Sequence, residues 1–233
     1  MVFPLGDMEK TRIVPIVTYA LIALNAALFL VQLDRGIEFT RDYAATPRLI
    51  VDGSLDGPAG SIPAWMTILT AMFLHGSPIH LAGNMLYLWI FGDNVEEVLG
   101  SWRYLMFYLG CGAAGTLLQV AVDPGSTVPT LGASGAIAGV MGAYLVWFPR
   151  NRVRVFVFRS IAEMPAALVI GLWIAMQVVG GYGSLGRGGG DGGVAYLAHL
   201  GGAGAGALAA LANRNRARAV LIADAELRDD DLA

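Results

Sequence analysis

Charge is scarce in this sequence. Only 14% of its 233 residues are Asp, Glu, Lys or Arg, where a soluble domain carries about a quarter. The 56% hydrophobic fraction and mean hydropathy of +0.60 complete the contrast. The net charge of −3 excludes the basic face that nucleic-acid binding requires. A single cysteine, Cys111, excludes an intramolecular disulfide and a cysteine-ligated zinc site. It stands in an apolar stretch and reads as a small buried hydrophobe. Lysine is nearly absent as well: fourteen of the fifteen basic residues are arginine. These shortages point to an integral membrane protein.

Long apolar runs fill the space that charge leaves. A bilayer core needs roughly 20 apolar residues per helix. Runs at Ile13–Leu33, Pro78–Val98, Trp102–Val122, Ser134–Phe148, Met164–Gly180 and Val194–Asn213 give six expected spans. The first is too long for a signal-peptide core and is read as an anchored span. The fourth has 15 residues, about 22 Å as a helix, too short to cross the full core. Pro63–Leu74 is apolar but short, and is expected to lie at the interface or re-enter. The connection 35–63 is polar, and the glycine-rich segment 180–193 reads as a flexible loop. The expected division is a segment 1–12, a membrane domain 13–213 and a tail 214–233 that is acidic after Arg218 and loosely ordered or a short surface helix.

Arginine distribution orients the bundle. With both termini inside, eleven Lys and Arg fall on the cytoplasmic side, against Arg35, Arg41, Arg48 and Arg187 outside. That asymmetry predicts cytoplasmic termini and, with the composition, a multi-pass protein of a bacterial inner membrane.

All three histidines lie in or beside spans, where ionisable groups mark functional interiors. His75, His80 and Asn84 occur in HGSPIHLAGN, with His80 and Asn84 four apart on one helical face. They are polar glue between helices or part of a site. A metal is disfavoured because no Asp, Glu or Cys stands at ligand spacing in the spans. Ser134 stands in LGASGAIAG. Pro124, Gly125, Pro129 and Gly132 forbid regular helix before it, so it opens the short span. Non-helical backbone at membrane depth must be buried in protein or line a water-filled cavity. The serine is thus expected below the surface at a helix N-terminus, which favours developing negative charge. His199 stands in AHLGGAGAG, with Gly202 and Gly206 on its own helical face. Gly135 and Gly139 follow Ser134 at matching spacing. Small residues four apart let two helices approach closely, which would bring serine and imidazole together. No span interior is expected to hold Asp or Glu, so a Ser–His dyad replaces a triad.

The ordered set HxxxxHxxxN, GxSG and AHxxGxxxG over six spans resembles the rhomboid family of intramembrane serine proteases, along nearly the whole chain. The resemblance implies an all-α, six-helix bundle with a short central fourth helix. It implies Ser134 as nucleophile and His199 as general base, with no cofactor and no metal. His80, Asn84 and the Ser134 N–H would stabilise the oxyanion, and His75 would structure the loop and water access. Gly132, Gly135, Gly202 and Gly206 would support the pair. Segment 35–63 would form a lateral membrane-embedded loop and 180–193 part of the cap. The implied partners are transmembrane substrates in a lipid bilayer. One departure is Ala138, where many members carry an aromatic that packs on the catalytic histidine. Trp102-Arg103 lies after the second span and is not the family's Trp-Arg pair of the first loop; Trp102 reads as an interface anchor. Two rivals remain: an inactive or weak relative that binds membrane clients, and a small transporter, which would favour paired ionisable groups.

Overall fold

Burial along the first helix runs opposite to that of a helix in a soluble protein. The first helix, α1 (Ile16–Tyr43), turns Thr18, Leu21, Asn25, Phe29 and Gln32 inward and leaves Ile16, Leu24, Leu30 and Leu33 exposed. Three of the five inward residues are polar, because a lipid-facing helix gains nothing by hiding leucine. The computed structural model describes residues 2–9, 11–53, 62–157, 159–185 and 195–230.

After α1 come α2 (Pro47–Val51) and α3 (Ala64–Phe73), an α-helical turn flanked by 3-10 turns. Five further helices carry the bundle: α4 (Pro78–Leu99), α5 (Ser101–Val122), α6 (Ser134–Trp147), α7 (Ala166–Leu185) and α8 (Tyr196–Ala212). Helix α9 (Arg214–Asp230) follows. Stretches Ile16–Tyr43, Ser101–Val122 and Ala166–Gly183 are long and apolar enough to cross a membrane by length and composition, while α6 and α8 are shorter apolar helices. With α4 they make the six-helix membrane bundle expected from the sequence.

Helices α6, α8 and α5 form its centre. A Cβ on Gly202 would collide with the carbonyl oxygen of Gly135, and one on Gly206 with that of Gly139. The two glycine pairs thus interlock in register, backbone on backbone. On the other side of α6, Gly139 abuts Cys111, which is buried as expected.

Four expectations need correction. The protein is not purely α-helical: β1 (Val2–Asp7), β2 (Arg152–Val157) and β3 (Ser160–Pro165) form an antiparallel sheet in the order β1-β2-β3. Its Val153 and Val155 are buried against the bundle, so residues 2–7 of the terminal segment belong to the packed body, and Met164 lies in β3 rather than in a span. The polar connection is partly helical, since α1 continues to Tyr43 through a kink at Gly36 (φ 80°). The glycine-rich loop begins later than expected: α7 reaches Leu185, with Gly180 packed on the Tyr196 ring. The remainder of that loop, 186–194, and residues 54–61 of the polar connection lie outside the described residues. Of the two forms expected for the tail, the structure has the helix, which runs to Asp230. Finally, a carboxylate does sit inside a span.

That carboxylate is Glu96, fully buried near the end of α4. It accepts hydrogen bonds from Val17 N–H (3.0 Å), Thr18 N–H (2.8 Å), the Thr18 hydroxyl (2.9 Å) and the Ser101 hydroxyl (2.7 Å). It caps the first turn of α1, whose own N-cap residue Pro15 supplies no side-chain acceptor. At the same end, the Tyr144 hydroxyl of α6 donates to Asp7 of β1 at 2.8 Å. With its amide nitrogen turned toward the carboxylates, Asn94 donates to Asp7 at 2.7 Å. Burial pushes the Asp7 carboxyl up to about 7, the nearby Asp93 and Glu9 charges add to the rise, and the Tyr144 hydrogen bond opposes it.

Two expectations follow from this packing. Gly206→Ala places a methyl against unyielding backbone and should lower stability by at least about 1–3 kcal/mol. Gly204→Ala, with open space at its Cβ, should be neutral or better, read as thermal midpoints in detergent; equal midpoints would refute the seam. A carboxyl held above its unfolded value of 3.8 stabilises the fold fully below about pH 4 and loses that contribution as pH rises through about 7. The stability of Asp7→Asn relative to wild type should therefore rise between pH 4 and 8, and an unchanged difference would rule out the coupling.

Candidate functional site

The segment 123–133 enters the bundle without helical structure, as its prolines and glycines dictate, and its backbone is paired by the loops around it. Ala45 and Thr130 exchange N–H···O=C bonds of 2.9 and 2.8 Å, Arg48 N–H donates to the Ser126 carbonyl at 3.0 Å, and Gly132 N–H donates to the Ala71 carbonyl at 2.8 Å. These bonds satisfy the backbone at membrane depth and deliver Ser134 to the first turn of α6, where N–H groups lack intrahelical acceptors.

Ser134 is half-buried and His199, on α8, is 7% exposed. The Ser134 hydroxyl oxygen lies 2.7 Å from His199 Nε2. The glycine seam sets this distance, because Gly135 and Gly202 sit one and three residues beyond the two side chains. The imidazole's other nitrogen, Nδ1, lies 2.7 Å from Gln177 Oε1 of α7. The Trp173 ring, one turn earlier on α7, lies 5.5 Å from the imidazole at an interplanar angle of 36°.

His80 closes the other side. Ser77 caps α4 by accepting the His80 N–H at 3.2 Å, and Pro78 fills the first helical position, fixing His80 in the first turn. Its Nδ1 accepts the Gly76 N–H at 3.4 Å, which leaves the proton on Nε2. Nε2 lies on the Ser134 side of the ring: a Cβ on Gly132 would be 3.1 Å from it and 3.4 Å from the Ser134 oxygen. Gly132 also has φ +128°, a region closed to other residues. His75 is 2% exposed and packs edge-on against His80 at 5.2 Å, while Gln32 grips its backbone N–H (2.9 Å) and carbonyl (3.3 Å). Asn84 is buried one turn beyond His80, and its Nδ2 donates to no described residue.

The structure thus gathers Ser134, His199, His80 and Gly132 at one place, with His75 against His80 and Asn84 one turn beyond it. Gly135, Gly202 and Gly206 form the seam beneath. Gln177 and Trp173 were missing from the expected set. An apolar span with one glutamine, LWIAMQVV, carried the signal, but a search confined to acids passes over an amide. Ala138 is buried in α6, so the ring against His199 comes from α7 instead. Trp102 is 71% exposed, as an interface anchor would be.

The sequence model of the Rhomboid domain matches residues 63–216, well over half of the chain. The chain belongs to the rhomboid family. It is 35% identical over 138 residues to Rhomboid protease GluP of Bacillus subtilis, covering 59% of this chain and 26% of that protein. To Rhomboid protein 1, mitochondrial, of Saccharomyces cerevisiae it is 30% identical over 190 residues, covering 79% and 49%. Rhomboid-like protein 11, chloroplastic, of Arabidopsis thaliana is 32% identical over 149 residues, covering 61% and 50%. The matches span about a quarter to a half of these relatives. Bacterial, mitochondrial and chloroplastic rhomboids all match, which supports a membrane protein and does not support the bacterial inner membrane over an organellar one.

Gly132→Ala should cost about 1–3 kcal/mol from backbone strain and displace the His80 ring. Labelling of Ser134 by a fluorophosphonate should fall with it, whereas Gly76→Ala, whose Cβ meets its neighbours at an ordinary 3.9 Å, should label normally. Equal labelling of both would show that the glycine is dispensable.

Proposed function

We propose that this rhomboid is an intramembrane serine endopeptidase that cleaves transmembrane segments of other membrane proteins. The observation that carries the reading is the 2.7 Å contact between the Ser134 hydroxyl and His199 Nε2 at the start of α6. Oriented as nucleophile and base, the pair needs no charged third member in an apolar interior.

The proton leaves Ser134 for His199 Nε2 as the serine oxygen attacks the scissile carbonyl. Negative charge gathers on the carbonyl oxygen beside the Ser134 N–H, the His80 Nε2–H and the Asn84 Nδ2. Donors aimed at this atom act strongly where water is excluded. Collapse of the tetrahedral intermediate breaks the C–N bond, and His199 returns its proton to the leaving amine. Water, deprotonated by His199, then hydrolyses the acyl-enzyme. A regular substrate helix hides its carbonyls in its own hydrogen bonds, so cleavage selects segments that unwind locally. His75 supports His80 from behind. We take 13–213 as the membrane domain. Both termini face the side rich in Lys and Arg, the positive-inside arrangement.

The test is cleavage of reporter transmembrane helices in liposomes by wild type, Ser134→Ala and His199→Ala. Either substitution should lower the rate by at least about 10³-fold, and His80→Phe by about 10²-fold through loss of one donor. Cleavage that persists in Ser134→Ala would sink the assignment of the nucleophile. Failure of the wild type on a broad panel would shift the reading to a client-binding relative.

A further inference from the structure

A serine–histidine pair works only if the imidazole presents a lone pair, not a proton, to the serine. A neutral histidine has two tautomers, and the partner of Nδ1 selects between them. We propose that Gln177 is the positioning residue that holds His199 in the Nδ1–H tautomer, with Trp173 supplying the ring contact that Ala138 cannot. This rests on the protease reading above and names two residues in its service.

The amide of Gln177 is polarised by its own helix. Its Nε2 donates to the Trp173 carbonyl, one turn back, at 3.4 Å. Its oxygen is then the atom 2.7 Å from His199 Nδ1. An oxygen only accepts, so the proton is on Nδ1, and Nε2 is the bare nitrogen facing Ser134 at 2.7 Å. The reversed amide would set two oxygens face to face at Trp173 and place an N–H against Nδ1. The imidazole would then carry its proton on Nε2 and donate to the serine instead of accepting from it. The correct tautomer thus follows from one carbonyl of α7.

Burial explains why an amide holds this position. Gln177 is 7% exposed, and a carboxylate there would bear the cost of an intramembrane charge. A neutral acceptor orients the ring without it. Trp173 contributes geometry: at 5.5 Å and 36° it bounds the imidazole on the α7 side, while Ala138 leaves the α6 side without an aromatic. α7 therefore supplies both restraints on His199, and α6 supplies the nucleophile.

The experiment uses the full chain in detergent micelles with 15N-labelled histidine. Three histidines give three pairs of ring-nitrogen signals, and His199→Ala assigns the pair that matters. In wild type the His199 shifts should report Nδ1 protonated and Nε2 bare; in Gln177→Met the Nε2–H form should appear. Fluorophosphonate labelling of Ser134 should slow about 10²-fold in Gln177→Met. It should return to within about ten-fold of wild type in Gln177→Glu, which restores an acceptor. In the cleavage assay the Met substitution should lower kcat with KM little changed. An Nε2–H tautomer in wild type would overturn the proposal. So would equal slowing by Met and Glu, which would mark a packing role, or no slowing by Met. Absence of cleavage by wild type would count against the protease reading, while the nitrogen shifts would still decide the role of Gln177.

Discussion

The backbone seam between α6 and α8 sets the distance between Ser134 and His199. Gly135 and Gly139 on one helix meet Gly202 and Gly206 on the other, carbonyl against Cα. Helices in lipid receive no hydrophobic push toward each other, and close packing of small residues supplies the attraction instead. The matched four-residue spacing also fixes the register along the helix axes. Ser134 and His199 stand just before the two glycine pairs, so the same contact that joins the helices brings the hydroxyl to the imidazole. Slippage by one residue along either helix would move the partners by about 1.5 Å and rotate them by about 100°, enough to break a 2.7 Å hydrogen bond.

Charge is kept at the opposite end of the bundle. Ten residues of α6 separate Ser134 from Tyr144, about 15 Å along the axis. There Glu96 caps α1 and Asp7 ties β1 to α6. A buried carboxylate is tolerable where several donors converge on it, and Glu96 accepts four hydrogen bonds from described residues, two of them from backbone N–H groups that open a helix. Around the serine no such set of donors surrounds a resident anion. Its donors face the space where a reacting oxygen would develop charge. Both ends thus place N–H groups at a helix start, which at Glu96 donate to a side-chain carboxyl and at Ser134 open α6.

Much of this was legible because membrane physics writes in long runs. Span positions agree with the helices to within a few residues at most ends, and the breakers at Pro124, Gly125, Pro129 and Gly132 placed the start of α6 at Ser134. The misses share a cause, which is reliance on composition where tertiary contact decides. The Gly-rich stretch at 180 is helical because a glycine there fits the Tyr196 ring. The sheet had a local trace in the alternation of RVRVFV, buried at Val153 and Val155, but β1 lies some 150 residues away and nothing in VFPLGD announces its partner. Glu96 was overlooked although it lies inside the expected span Pro78–Val98, because the charged end of that run was read with the polar loop that follows it. Gln177 was overlooked because the search for a third member looked for an acid.

The absent acid and the present amide have one explanation. In water-facing triads a carboxylate orients the histidine and stabilises the imidazolium that forms during attack. In an apolar interior the resting carboxylate would itself need several converging donors to stabilise it, as Glu96 has at the other end of the bundle. An amide oxygen gives up part of that electrostatic help and retains the orientation. Orientation is the part a dyad cannot obtain from serine alone, since the hydroxyl bonds to either tautomer, as donor to one and acceptor from the other. A neutral bundle therefore favours a neutral third residue, and α7 carries it together with the aromatic ring that α6 lacks at Ala138.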